Sequence, residues 1–152
     1  MKRNLLVFLT VLSSGVFTLY SCGGSNQPAT ESSSTAVVSS AAPSAEVMAK
    51  GEEVFKKTCI VCHQATGLGI PKTFPPLAKS DFLANRENVI NQVIKGKTGE
   101  LIVNGETYNN TMPPQNLSDE DIAAVLSYVY NSFGNSGGAV SVDEVKAVRA
   151  KG

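Results

Sequence analysis

The chain has 152 residues, 42% of them hydrophobic and 17% charged, with 13 basic and 13 acidic side chains and a formal net charge of zero. No basic stripe of the kind that nucleic acid demands emerges from that balance. One histidine, three cysteines and no tryptophan leave few side chains for metal or covalent chemistry.

Lys2 and Arg3 precede an almost unbroken apolar run from Leu5 to Phe17, followed by Leu19-Tyr20-Ser21-Cys22. This is the layout of a bacterial export signal, which is set aside before the fold is read. The Leu-x-Ser-Cys ending resembles a lipoprotein signal, so residues 1–21 would be removed and Cys22 would become the lipidated first residue. An uncleaved membrane anchor and simple secretion stay open. All three place the remainder outside the cytoplasm, on the periplasmic side of a bacterial membrane. Lipidation of Cys22 also leaves one cysteine pair, Cys59 and Cys62.

Residues 22–44 are dominated by Ser, Ala, Thr, Gly and Pro, with Glu31 their one charge. Such a stretch cannot bury enough surface to offset the entropy of ordering it. It reads as a flexible tether with a reach of roughly 25–28 Å. Folding is expected to begin at Ser44, an N-cap with Glu46 in the first turn. Val47, Met48, Gly51, Val54 and Phe55 then recur at helical spacing. Gly67 to Lys79 is rich in Gly and Pro and reads as loop.

Asn85 caps a second expected helix, with Val89, Ile90, Val93 and Ile94 on its buried face and Gly96 as its stop. Leu101-Ile102-Val103 and Glu106-Thr107-Tyr108 flank Asn104-Gly105, a tight hairpin signal. Ser118-Asp119-Glu120-Asp121 resembles a capping box with Asp in the usual Glu place, stapled by Leu117 and Ile122. That helix should run through Val125, Leu126, Tyr128 and Val129 to about Asn131 or Phe133. Residues 135–152 are expected as a tail, with a short helix from Ser141 to Arg149. The folded domain, 45–134, is marginal as a protein-only core. Eight basic and ten acidic residues between Glu46 and Gly134 give it a small negative balance.

Cys59-Ile60-Val61-Cys62-His63 is the chemical centre of the sequence. Two thiols two residues apart reach the two vinyl groups of one porphyrin, and the next histidine can ligate its iron. Cys-x-x-Cys-His is the haem c attachment pattern. A structural zinc site needs four ligands, and the domain offers no second histidine and no further cysteine. A thioredoxin-like thiol pair belongs in a βαβ pattern, whereas these surroundings read as helical. With no second histidine and Met1 removed, the other axial ligand falls to Met48 or Met112. Met48 lies on an apolar helix face and reads as core. Met112 lies in a loop stiffened by Pro113 and Pro114, which holds a thioether at fixed geometry, although methionine also serves as core filler. His63 and Met112 together close the iron on both sides and raise its potential.

From Ser44 to Gly134 the chain resembles class I c-type cytochromes. The resemblance rests on Gly51-x-x-x-Phe55-x-x-x-Cys59, on the haem motif and on Pro75-Pro76-Leu77. It implies an all-α fold of three to four helices around one covalent haem c, with a small hairpin before the methionine loop. It also implies a close helix crossing at Gly51 with Val125, Tyr128 and Val129 as facing contacts. The Pro75 carbonyl would accept the His63 ring N–H, and Leu77 would press on the porphyrin. The hairpin and the segment after Gly134 are similar to those of monohaem cytochromes that serve bacterial respiratory enzymes.

The expectation is a monomeric, membrane-tethered carrier of single electrons and not an enzyme. A quinol-oxidising complex or dehydrogenase would be its donor, a terminal oxidase or reductase its acceptor. A haem enzyme or gas sensor with an open iron, and a haem-free thiol redox lipoprotein, are the alternatives.

Overall fold

A computed structural model describes residues 41–152; the expected export signal, Cys22 and most of the 22–44 tether lie outside them. Among the described residues the order is α1 (Ala45–Thr58), α2 (Ile60–His63), a 3₁₀ turn (Asp81–Ala84), α3 (Arg86–Lys95), β1 (Leu101–Val103), β2 (Glu106–Tyr108), α4 (Asp119–Tyr130) and α5 (Val142–Ala150). The architecture is all-α with one two-stranded antiparallel sheet.

The helix starts follow local chemistry. Ser44 Oγ accepts the Val47 N–H at 3.3 Å, and Asn85 Oδ1 accepts the Asn88 N–H at 3.0 Å. Each satisfies a backbone donor that has no partner within its own helix. Gly96, at φ 75°, ends α3 in a backbone region that costs glycine little. The hairpin pairs Leu101 with Tyr108 and Val103 with Glu106. Asn104 and Gly105 at its tip have φ 51° and 79°, as a two-residue turn between twisted strands requires.

The expected box at Ser118 is only half made. Ser118 Oγ accepts the Asp121 N–H at 3.0 Å, but the Asp121 carboxylate turns to Lys50 of α1 at 2.9 Å. A complete box instead starts α5: Ser141 Oγ accepts the Glu144 N–H at 3.1 Å, and the Ser141 N–H donates to Glu144 Oε2 at 2.7 Å. Glutamate has the extra methylene that this return bond needs.

α1 packs on α4 at Gly51. A Cβ built there would collide with the Ala124 carbonyl and stand 2.6 Å from Tyr128 Cβ, so only glycine permits this approach. One turn on, Phe55 meets Tyr128 at 5.6 Å and Phe133 at 5.2 Å between ring centroids. Phe133 has φ 57° and lays its ring over Gly67, linking this aromatic group to the loop after α2.

The segment 135–152 is not a tail apart from a 45–134 domain. Val140, Val145 and Val148 are buried in the same core as Val54, Ile90 and Ile122. Arg86 of α3 binds it across the gap: its guanidinium donates to Ala139 O at 2.7 Å and Gly137 O at 2.5 Å, pairs with Glu144 at 3.3 Å and lies 4.9 Å from the centre of the Tyr130 ring. The fully buried Ser127 hydroxyl accepts the Val140 N–H at 2.8 Å. The Val142, Val145 and Val148 spacing gave α5 an apolar side, and α3 and α4 provide what covers it.

Candidate functional site

The site begins where α1 stops. Cys59 is the C-cap of α1 and the start of α2, and the His63 N–H donates to Cys59 O at 3.0 Å. That single turn sets Cys59, Cys62 and His63 on the wall of one cleft. Both thiols are free and half-buried. Burial pushes the Cys59 thiol up, partly offset by its contact with the Thr58 hydroxyl.

The His63 ring is fixed from behind. Its Nδ1 lies 3.0 Å from the Pro75 carbonyl oxygen. A carbonyl can only accept, so Nδ1 carries the proton and the lone pair resides on Nε2. Burial holds the imidazole below its ordinary pKa, with the Pro75 bond opposing, which favours the neutral form a metal ligand requires. Between Pro75 and Pro76, the structure makes Pro75 the acceptor.

Gly69 lets the loop deliver that carbonyl. It has φ 63°, and a Cβ there would overlap Phe74 O and stand 2.6 Å from Pro75 O. The loop is cross-braced by the Gly69 N–H to His63 O at 3.0 Å and the Leu77 N–H to Gly67 O at 2.7 Å.

Met112 lines the same cleft, and Met48 does not. The methionine loop is seated on the end of α3 by backbone bonds. Lys97 and Met112 exchange two, at 2.8 and 2.9 Å, and the Gln115 N–H donates to Val93 O at 2.9 Å. Gly96 makes room for this seat, because a Cβ there would lie 2.5 Å from Met112 O and 2.8 Å from Pro114 N. The sequence marked Gly96 as a helix stop; its second duty shows only in three dimensions.

Leu77, Val125, Leu126 and Val129 give the cleft apolar walls, and its empty space is about 1010 Å³ including the open mouth. Two thiols, a neutral imidazole with a free Nε2 and a thioether thus line one apolar cleft, a donor set that suits a covalently held iron porphyrin. Among the described residues no group of three or more His, Cys, Asp and Glu side chains is arranged to hold a metal ion. A structural zinc centre therefore lacks its four ligands among the described residues.

Every expected site residue from Cys59 to Met112 lines this cleft, while Cys22 lies outside the described residues. Sequence reading missed Gln92, Lys97, Tyr108 and Gln115, which line it too. Gln92 carried no signal, since it stands at the edge of the apolar stripe of α3 beside Asn88 and Lys95.

A family model described as cytochrome c matches residues 48–132. Cytochrome c-552 of Thermus thermophilus is 37% identical over 114 residues, covering 68% of this chain and 86% of that protein. The cytochrome c subunit of the quinone alcohol dehydrogenase of Gluconobacter oxydans is 26% identical over 117 residues, covering 67% of this chain but 22% of that subunit. The fructose dehydrogenase cytochrome subunit of Gluconobacter japonicus is 31% identical over 109 residues, again 67% of this chain and 22% of the relative.

Proposed function

The chain belongs to the cytochrome c family, and from that premise we propose how it carries electrons: as a membrane-tethered monohaem shuttle whose iron is closed by His63 and Met112. Membership brings one covalently bound haem c and the role of electron carrier. Haem c supplies a reversible one-electron couple at its iron. The observation that carries the ligand assignment is the shared cleft, lined by the sole histidine with Nε2 unprotonated and by the Met112 loop.

In this reading Cys59 and Cys62 would hold the porphyrin through thioether bonds, their S–H adding across its two vinyl groups. His63 offers Nε2, and the Pro75 carbonyl keeps the ring from rotating away. Met112 offers its sulfur from a loop fixed by the Lys97 bridge. Leu77, Val125 and Val129 exclude water. Two neutral donors held in fixed places require little rearrangement when charge changes, and Met/His ligation sets a raised potential. Held by both His63 and Met112, the iron would offer no open site for bond chemistry.

Carbon monoxide added to the reduced, matured protein tests this. Slow or negligible binding with a low-spin spectrum is expected. Rapid binding with a high-spin spectrum would reject the closed iron and favour an enzyme or gas sensor.

The tether reading rests on the sequence of residues 1–44. We infer removal of residues 1–21, lipidation of Cys22 and a periplasmic, monomeric domain on a flexible leash. Redox partners in general fit the family, since two of the relatives are cytochrome subunits of dehydrogenases. A membrane quinol-oxidising complex or dehydrogenase as donor and a terminal oxidase or reductase as acceptor suit a domain on such a leash. Labelled fatty acid should enter the wild-type chain and not Cys22→Ser; equal labelling of both removes the lipid assignment.

A further inference from the structure

We infer that Asn135 is a positioning residue for His63: from outside the cleft it holds the loop that presents the Pro75 carbonyl to the imidazole. The inference rests on His63 as the iron ligand and goes beyond it, to a residue in the segment that the sequence set apart as a tail.

Asn135 stands just after the turn that closes α4, and it does not line the cleft. Its side-chain amide is fully engaged. Oδ1 accepts the Lys79 N–H at 2.8 Å, and Nδ2 donates to Leu77 O at 3.0 Å and to Val129 O at 2.8 Å. The oxygen faces a donor and the nitrogen faces two acceptors. Exchanging them would make all three contacts repulsive, so the orientation is fixed. The Asn135 main-chain N–H donates to Ser132 O at 2.9 Å, which ties the residue to the end of α4.

The two carbonyls it grips belong to two walls of the cleft. Leu77 comes from the loop after α2 and Val129 from α4, and both line the cleft. A single amide therefore fastens loop to helix from behind. Leu77 is also held by its N–H, which donates to Gly67 O at 2.7 Å. The Pro75 carbonyl, 3.0 Å from His63 Nδ1, is thus two residues from a peptide pinned on both sides.

Lys79 shows that the grip works against a backbone bias. It has φ 49°, a left-handed conformation that a residue with a Cβ keeps only where its surroundings dictate it. The bond from its N–H to Asn135 is one such constraint. Gly134 is another, because a Cβ there would stand 3.0 Å from Lys79 Cε, where the lysine stem passes. Without the Asn135 amide, Lys79 can relax and the chain leaving Leu77 changes direction. The Pro75 carbonyl then drifts from Nδ1, and the imidazole loses the acceptor that fixes its plane.

The test uses the full, haem-loaded chain carrying Asn135→Ala, with Asn135→Ser as a second variant whose shorter hydroxyl cannot span both carbonyls. Exchange of the His63 Nδ1–H with solvent in the reduced protein should quicken about 10-fold in the first and less in the second. The haem methyl shifts of the oxidised protein, which report the plane of the axial imidazole, should change with it. Tyr130→Phe controls for stability alone: it loses a buried bond to Leu83 O and should lower the unfolding midpoint while leaving the exchange rate at the wild-type value. Unchanged exchange and methyl shifts in both Asn135 variants overturn the inference, and so does an equal acceleration in Tyr130→Phe. The exchange rate follows His63 and Pro75 and not Met112, so a failure of the closed iron, read by carbon monoxide, is told apart from a failure of this inference.

Discussion

Gly51 of α1 lies against the Ala124 carbonyl of α4 with no space between them for a methyl group. This contact sets the helix crossing above which Phe55, Tyr128 and Phe133 pack. Replacing Gly51 by Ala should push the helices apart and cost about 1–3 kcal/mol of overpacking strain. Denaturant unfolding of the haem-loaded protein reads this as a lower midpoint with an unchanged slope. A wild-type midpoint would mean that the crossing is loose enough to absorb a side chain.

Gly96 should act on the site more than on stability. At φ 75° an alanine is strained, and its Cβ would press on Met112 O and Pro114 N. Gly96→Ala is expected to shift the methionine loop outward and make the iron about 10-fold more accessible to carbon monoxide. A variant that loses stability but binds carbon monoxide like wild type shows that the loop keeps its place by other contacts.

Tyr130 predicts an alkaline response. Burial pushes its hydroxyl up to about 12, with the Arg86 charge opposing. The unfolded chain releases that proton near the ordinary tyrosine value of 10.0, so between the two values only the folded state retains it. Stability from this group is complete below the unfolded value and is lost as pH rises toward the folded one. Tyr130→Phe should cost about 1–2 kcal/mol at neutral pH, because Leu83 O loses its 2.9 Å donor. The gap to wild type should then narrow as pH rises from about 10 to about 12. Denaturant midpoints at several pH values provide the check, and a gap independent of pH would contradict the shift.

Shortening the chain to end at Ser136 removes Val140, Val145 and Val148, all buried. Each such side chain contributes roughly 1.5–3 kcal/mol through burial, and Arg86 would lose its carbonyl acceptors as well. The truncated protein should unfold at markedly lower denaturant and show rapid amide exchange in α3. Full stability would make the last helix dispensable.

The site was legible where its chemistry is local. Cys59, Cys62 and His63 fall within one turn, and their spacing alone carries the reading. Met112 followed by elimination, because only two methionines remained once Met1 was set aside. Pro75 needed the family likeness, since a carbonyl acceptor leaves no mark in a side-chain pattern. Gln92 stayed hidden because the Met112 sulfur that its amide meets is 20 residues away, and nothing in an α3 sequence announces a loop sulfur.

The fold was legible in its elements and less so in their partners. Asn-Gly fixed the hairpin, and the caps at Ser44 and Asn85 fixed two helix starts. The box at Ser118 failed because Lys50, distant in sequence, competes for Asp121. The 3₁₀ turn at Asp81 went unread because its brace lies at the hairpin tip: the Asp81 N–H donates to Asn104 Oδ1 at 2.9 Å, and the Asn104 N–H returns a bond to Asp81 Oδ1 at 2.8 Å. Tail and domain could not be told apart from an apolar face alone.

The crossing of α1 with α4 also governs the order of events during synthesis. The first helix finds its mate only after nearly the whole domain has been made, and long-range closures of this kind come late. A nascent chain therefore holds Cys59 and Cys62 in the open, accessible to whatever installs the pigment, until its last third emerges and the protein shuts around them.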